Sequence, residues 1–262
     1  MRRAQRLITA GLSRLFPVVV ALAAWEAVAR SGAVNPRLFP GLGAIAQQLV
    51  FLLGSPQLGL HLGASLTRVV TGFALAIAIG IPLGILMSRV ALFGRVIEPV
   101  FSFGYPVPRI ALYPIAVFLF GIGHLSKVVL IALECLYPIA INTYYGVQNI
   151  NRLYIWSAEN MGASRADVIF KVMAPAAAPH VFSGLRIALP IAFIITVLTE
   201  MVSSTEGLGW MILYASASLV QARVFAGVAI VAAIGFVMDS LLAGLRNRLI
   251  FWEKEGLLVA MR

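Results

Sequence analysis

Residues 61–87 read HLGASLTRVVTGFALAIAIGIPLGILM. Arg68 is the one Lys, Arg, Asp or Glu in that run. A helix needs about 20 apolar residues to cross the hydrocarbon of a bilayer, and this run exceeds that. Gly80-Ile81-Pro82-Leu83-Gly84 inside it lets a neighbouring helix approach closely and predicts a kink at Pro82.

The rest of the 262 residues has the same character. Hydrophobic residues make up 61% of the chain and charged ones 11%. A water-facing globule would carry roughly 25% charged residues, so a soluble enzyme is excluded as the first reading, as is a disordered chain. Further apolar runs lie at Leu15–Ala29, Val96–Phe120, Leu125–Val147, Val181–Val202 and Phe225–Leu245. The fold class expected is therefore an all-α membrane protein of about six transmembrane helices, forming one domain over residues 1–262. A cleaved secretory signal is the alternative for the first run, but its length, Pro17 and Glu26 weigh against that. The third run is broken by Pro99, Pro106, Pro108 and Pro114. Such backbone is tolerated at membrane depth only beside protein or a water-filled cavity. Ala44–Leu53 and Trp210–Leu219 are too short to span and read as interfacial pieces.

Charge sets the orientation. The net charge is +10. Six crossings with both termini in the cytoplasm put fourteen of the 20 Lys and Arg residues at inner positions and six elsewhere. That agrees with the positive-inside rule, and the reverse orientation violates it. The same charge favours anionic lipid head groups as a contact rather than nucleic acid. Cys135 is the single cysteine, His61, His124 and His180 are far apart, and no phosphate-binding glycine loop occurs. No metal site, no catalytic residue and no cofactor bound by this chain is therefore expected. No internal repeat is evident.

Residues 151–180 read NRLYIWSAENMGASRADVIFKVMAPAAAPH and form the longest polar stretch between spans. Ser164-Arg165-Ala166-Asp167 fits a capping box, so a helix starts at Ser164. Its apolar face is expected at Val168, Ile169, Val172 and Met173, and Pro175 is expected to stop it. Gly162 separates it from a helix over Leu153–Met161. Two short helices joined at a glycine make a knob that can dock on a soluble partner or lie on the lipid interface.

This segment is similar to the cytoplasmic "EAA" loop of the membrane subunits of ABC importers. The match rests on Ala158, Gly162, Ala163, Ser164, Ile169 and Pro175, continuing through Pro179, Phe182, Ser183, Gly184, Leu185 and Arg186. Elsewhere the chain resembles the nitrate, aliphatic sulfonate, taurine and thiamine-precursor subgroup. That resemblance runs through Phe39-Pro40, Ser65-Leu66-Thr67-Arg68-Val69, Gly72-Phe73 and Gly80–Gly84. It continues at Pro106-Val107-Pro108, Ala111-Leu112-Tyr113-Pro114, Phe120-Gly121-Ile122-Gly123, Pro138, Asn142-Thr143 and Glu200-Met201. The family's loop begins with Glu where this chain has Trp156, with Glu159 nearby. Small residues are usual where this chain has Glu134 and Cys135, and Arg109 also departs from the family.

The resemblance implies a type I importer permease in the bacterial inner membrane. It implies a second copy of the chain, a dimer of ATPase subunits carrying ATP and magnesium, and a periplasmic binding protein that delivers the solute. Ala158, Glu159, Gly162, Ala163, Ser164, Ile169 and Pro175 are the candidate ATPase-coupling residues. Tyr105, Pro106, Pro108, Arg109 and Glu134 are the pathway candidates, since charge inside a membrane faces the interior or water. For Arg109 and Glu134 the competing reading is a structural ion pair. The rival for the whole chain is a stand-alone carrier or channel driven by an ion gradient, with Glu134, Glu200 and Asp239 as ion sites. A membrane enzyme ranks third, because no nucleophile with a base and no paired acids occur.

Overall fold

The computed structural model describes the backbone of residues 2–104 and 107–252, and the side chains from residue 16 on within those bounds, Ser102 excepted. Among the described residues there is no strand. The helices are α1 (Arg2–Arg30), α2 (Leu42–Leu53), α3 (Pro56–Arg89), α4 (Ala91–Gly104), α5 (Tyr113–Phe120), α6 (His124–Gln148), α7 (Arg152–Asn160), α8 (Arg165–Val202), α9 (Leu208–Ala217) and α10 (Gln221–Leu249). By length and composition α3, α6, α8 and α10 can each cross a membrane. These are four of the six expected spans. The run expected at Leu15–Ala29 is the second half of α1, whose other half is basic. The run over Val96–Phe120 divides into α4, a 3-10 turn at Arg109–Leu112, and α5.

The core is the packing of α3, α6 and α8 around Val69, Leu130, Ile131, Ile139, Ala188 and Ala192. Inside a membrane lipid tails are as apolar as leucine, so helices associate by close van der Waals approach. Small residues provide it here. A Cβ on Gly72 would lie 2.6 Å from the Ile131 side chain, and one on Gly80 would lie 2.9 Å from Ile139. Gly184 of α8 meets Pro138 and Asn142 of α6 in the same way. The buried hydroxyls of Thr143, Thr196 and Thr199 donate to carbonyls four residues back on their own helices, and among the described residues no buried side-chain polar atom lacks a partner.

These contacts fix directions. Residues 72 and 80 of α3 meet 131 and 139 of α6, so α3 and α6 run parallel. Two parallel helices in one chain need a connection that returns across the full length of the pair. Residues 90–123 supply it, which explains why α4 and α5 are interrupted yet indispensable. The contact of Gly146 with His180, and of Cys135 Sγ with the Ala188 carbonyl, makes α8 antiparallel to α6. At the His124 end, α2 and α9 pack on the start of α10 through Leu52, Leu208, Met211, Ala226 and Ile230.

Two expectations for α8 are corrected. Pro175 does not end the helix. A π turn over Val168–Met173 precedes it, and the helix continues to Val202 through Pro175, Pro179 and Pro190. The wider turn accommodates a residue that lacks an N–H, so the helix continues rather than stops. The same extra residue shifts the apolar register. Val168 and Met173 are buried and Val172 is half-buried, but Ile169 is exposed.

Gly72→Ala is expected to lower thermal stability by about 1–3 kcal/mol through overpacking against Ile131. Gly63→Ala, in the same helix with nothing within 4 Å of its would-be Cβ, is expected to raise it slightly. Melting curves of the purified chain in detergent test the pair, and equal shifts would contradict the packing argument.

Candidate functional site: charged clusters and a capped knob

Three groups of polar residues sit at successive levels of the helix bundle. At the His124 end, Arg68 of α3 and Glu200 of α8 form an ion pair of 2.6 Å, both fully buried. A charge in apolar surroundings is tolerated only when paired and hydrogen-bonded, and this pair is saturated. Glu200 also accepts from the Ser65 hydroxyl and from the Gly209 amide at 2.9 Å. Arg68 donates further to the Glu206 carbonyl, the Glu206 carboxylate and His124 Nδ1.

The same carboxylate organises α9. The first amides of a helix lack partners within it and carry a positive partial charge. Here Gly207 N–H donates to His61, Leu208 N–H to Ser65 and Gly209 N–H to Glu200. Gly207 has a φ of +114° and lies directly against the Glu200 carboxylate, so any side chain there would be strained and would collide. Beside this network Lys127, also buried, donates its ammonium protons to the carbonyls of Gly123 and Ser203. Glu200, near the end of its apolar run, is sealed from water because α9 folds over it.

The second group lies about 15 Å along α6, at 1.5 Å per residue. Arg109, in the 3-10 turn after Pro108, donates to Glu134 at 3.0 Å, and its guanidinium lies 5.8 Å from the centre of the Tyr137 ring. The two pathway candidates are therefore brought together as an ion pair, each retaining about one-sixth exposure. Pro108 immediately precedes Arg109 as the cap of that turn. Tyr105 and Pro106 lie outside the described residues. Cys135, next to Glu134, is buried and points away toward α8.

The third group is the knob. Ser164 accepts from the Asp167 amide at 3.2 Å, and the Asp167 carboxylate accepts from the Ser164 amide at 3.3 Å, completing the expected capping box. Asn151 caps α7 with its side-chain oxygen, which accepts from the Leu153 amide. Gly162 has a φ of +83°, a conformation other residues adopt only with strain. Ala158 and the half-buried Ala163 pack on Val147, Ile150, Val168 and Met173 and anchor the knob to the end of α6. Glu159 is exposed and Pro175 half-buried. Ile169 lines an apolar cavity of about 240 Å³ with Ile81, Ile85, Arg89, Val147 and Phe182. The outer surface of the knob carries Leu153, Tyr154, Trp156, Met161 and Phe170, all more than half exposed. Such a concentrated apolar surface rimmed by Glu159, Arg165 and Lys171 is the mark of an interaction site.

Sequence reasoning singled out the knob but missed the network around Arg68 and Glu200, with Lys127 buried beside it. Its members are up to 135 positions apart in sequence, and each reads locally as a stray charge near a span end. The available signal was Ser65 and Arg68, three apart on one helix face, together with Glu200 before Gly207-Leu208-Gly209.

The comparisons with known proteins agree with this architecture. The family described as "Binding-protein-dependent transport system inner membrane component" matches residues 76–251. The taurine transport system permease protein TauC of Escherichia coli is 35% identical over 244 residues, 91% of this chain and 88% of that protein. The nitrate import permease protein NrtB of Leptolyngbya laminosa is 32% identical over 195 residues, 74% of this chain and 70% of that protein. In fold, the chain is similar to a MetNI methionine ABC transporter subunit solved in inward-facing form. The TM-score is 0.57 at 20% identity, covering 70% of this chain and 94% of that one.

Glu200→Gln keeps the shape but removes the only fully buried carboxylate of the cluster, leaving Arg68 the half-exposed Glu206 as its one anionic partner among the described residues, and is expected to cost about 3 kcal/mol. Arg186→Ala, which breaks the exposed pair with Asp239, is expected to cost less than about 1 kcal/mol. Thermal unfolding in detergent distinguishes them, and similar losses would refute the buried-network account.

The chain belongs to the binding-protein-dependent transport system inner membrane component family, the membrane-spanning permeases of ABC importers.

Proposed function

We propose that two copies of this chain form the pathway of an ATP-driven importer for a small anionic solute of the sulfonate, taurine or nitrate kind. The solute is delivered by a periplasmic binding protein across the bacterial inner membrane. Six crossings by α1, α3, α4 with α5, α6, α8 and α10 satisfy the alternating directions of the packed helices. The distribution of Arg and Lys supports cytoplasmic termini, with the knob on that side. ATP and magnesium belong to the ATPase subunits, and this chain holds no cofactor. The gradient-driven carrier draws no support from these relatives.

The observation that carries the proposal is the knob. Its base is fixed by Ala158, Ala163, the Ser164 cap and the half-buried Pro175. Its apolar surface stands free, and Glu159 and Gly162 lie beside that surface. It continues without a break into α8, so a push on the knob is transmitted as rigid-body movement of a membrane helix. Ile169 lines the apolar cavity that it shares with Ile81 and Ile85 of α3 and Val147 of α6. Arg109 is the basic group offered to a passing anion. Glu134 neutralises it between passages, and Pro108 caps the turn that carries Arg109.

Gly162→Asp strains the turn and places charge on the docking surface. Wild-type chain co-expressed with its ATPase is expected to co-purify with it in mild detergent, whereas Gly162→Asp loses most of it at unchanged expression. Equal retention would sink the coupling assignment. Arg109→Ala is expected to lower uptake of an anionic solute about tenfold, the worth of one hydrogen bond to a charged group, while ATPase co-purification is unchanged. Unaltered uptake of every anionic candidate would remove Arg109 from the pathway.

A further inference from the structure

We propose that the polar pocket at the His124 end is a binding site for a small three-oxygen anion of the sulfonate kind, in which the Glu206 side chain holds the ligand's place. The pocket is lined by Arg68, His124, Lys127, Ser203, Thr205 and Glu206, among others. Arg68, Lys127 and Glu200 are at most 2% exposed and cannot leave their positions without unfolding the helix ends. Two cations and one carboxylate leave this fixed shell with a charge of +1. A buried excess charge demands a counter-ion.

Glu206 supplies it, and Glu206 is different in kind. Its side chain is 45% exposed and belongs to the loop 203–207, outside any helix. One carboxylate oxygen bridges Arg68 at 2.9 Å and His124 Nε2 at 3.0 Å. Because Arg68 Nε donates to His124 Nδ1, the neutral imidazole carries its proton on Nε2 and donates to Glu206. An oxygen held between a guanidinium and an imidazole N–H is the position an anion would occupy. Lys127 spends two of its three ammonium protons on carbonyls and makes no ion pair among the described residues, so a donor remains for a further oxygen. Thr205 adds a hydroxyl. A three-oxygen headgroup matches this donor set better than the two-oxygen carboxylate it would replace. Glu206, already half in water, loses little by swinging out, and the shell regains its neutrality from the ligand.

The site stands on the pocket, its charge count and its donor geometry. That its ligand is the transported solute, received at the outer mouth of the pathway, rests on the function proposed above. The test uses full-length chain in detergent with methanesulfonate as probe and uncharged dimethyl sulfone as control, followed by calorimetry and by melting temperature. Glu206→Gln removes the internal competitor. It is expected to bind methanesulfonate about tenfold more tightly than wild type, the worth of a charge-assisted hydrogen bond, with no gain for the sulfone. Adding His124→Ala to Glu206→Gln is expected to reverse the gain. If Glu206→Gln melts lower, methanesulfonate is expected to restore the melting temperature. Binding no tighter than wild type, or a destabilised variant that the anion does not rescue, overturns the proposal. ATPase co-purification separates the two readings. ATPase retained without anion binding sinks only this site, whereas anion binding without ATPase sinks only the importer reading.

Discussion

A guanidinium and a carboxylate sealed among apolar helices hold this molecule together. Neither Arg68 nor Glu200 can be left unpaired, so α3 and α8 must meet at one level and in one register. The carboxylate then has lone pairs to spare, and one takes the Gly209 amide in the first turn of α9 while the Ser65 hydroxyl beside it takes that of Leu208, so that a short helix is folded over the end of the bundle. The position of α9 on α10, and the polar pocket beside it, follow from that one pairing.

The small residues carry the constraint along the bundle. Gly72 and Gly80 let α3 lie against α6 in parallel, and Gly184 lets α8 lie antiparallel to α6. Parallel neighbours force residues 90–123 to return the full distance, and the breaks in that stretch leave Arg109 and Glu134 partly accessible in the middle of the bundle. At the opposite end the π turn before Pro175 keeps α8 continuous from the capped Ser164 to Val202. A docking surface joined to a membrane helix without a hinge between them is the mechanical arrangement that the proposed ATPase coupling requires. The charge surplus at one end, the accessible ion pair in the middle and the knob at the other would then serve reception, passage and drive.

Much of this is legible in the sequence where the determinants are local. The four long apolar runs, the Ser164–Asp167 capping box and the turn at Gly162 each depend on residues a few positions apart. Pro175 misled because the cost of a proline inside a helix is a local rule, and a π turn upstream absorbed it. Ile169 misled for the same reason, since the extra residue in that turn rotates the helical pattern. The pairings of Arg68 with Glu200 and of Lys127 with the Ser203 carbonyl depend on helices that are remote in the chain, and no periodicity signals them. Arg109 and Glu134 were both visible as charges in apolar runs, but their contact needed the fold.

The most direct test of the account is accumulation of a radiolabelled sulfonate in proteoliposomes holding this chain, its ATPase and the binding protein. The account predicts concentrative uptake that requires all three proteins and ATP and persists when ion gradients are collapsed. Uptake by this chain alone, driven by an ion gradient and indifferent to ATP, would contradict it.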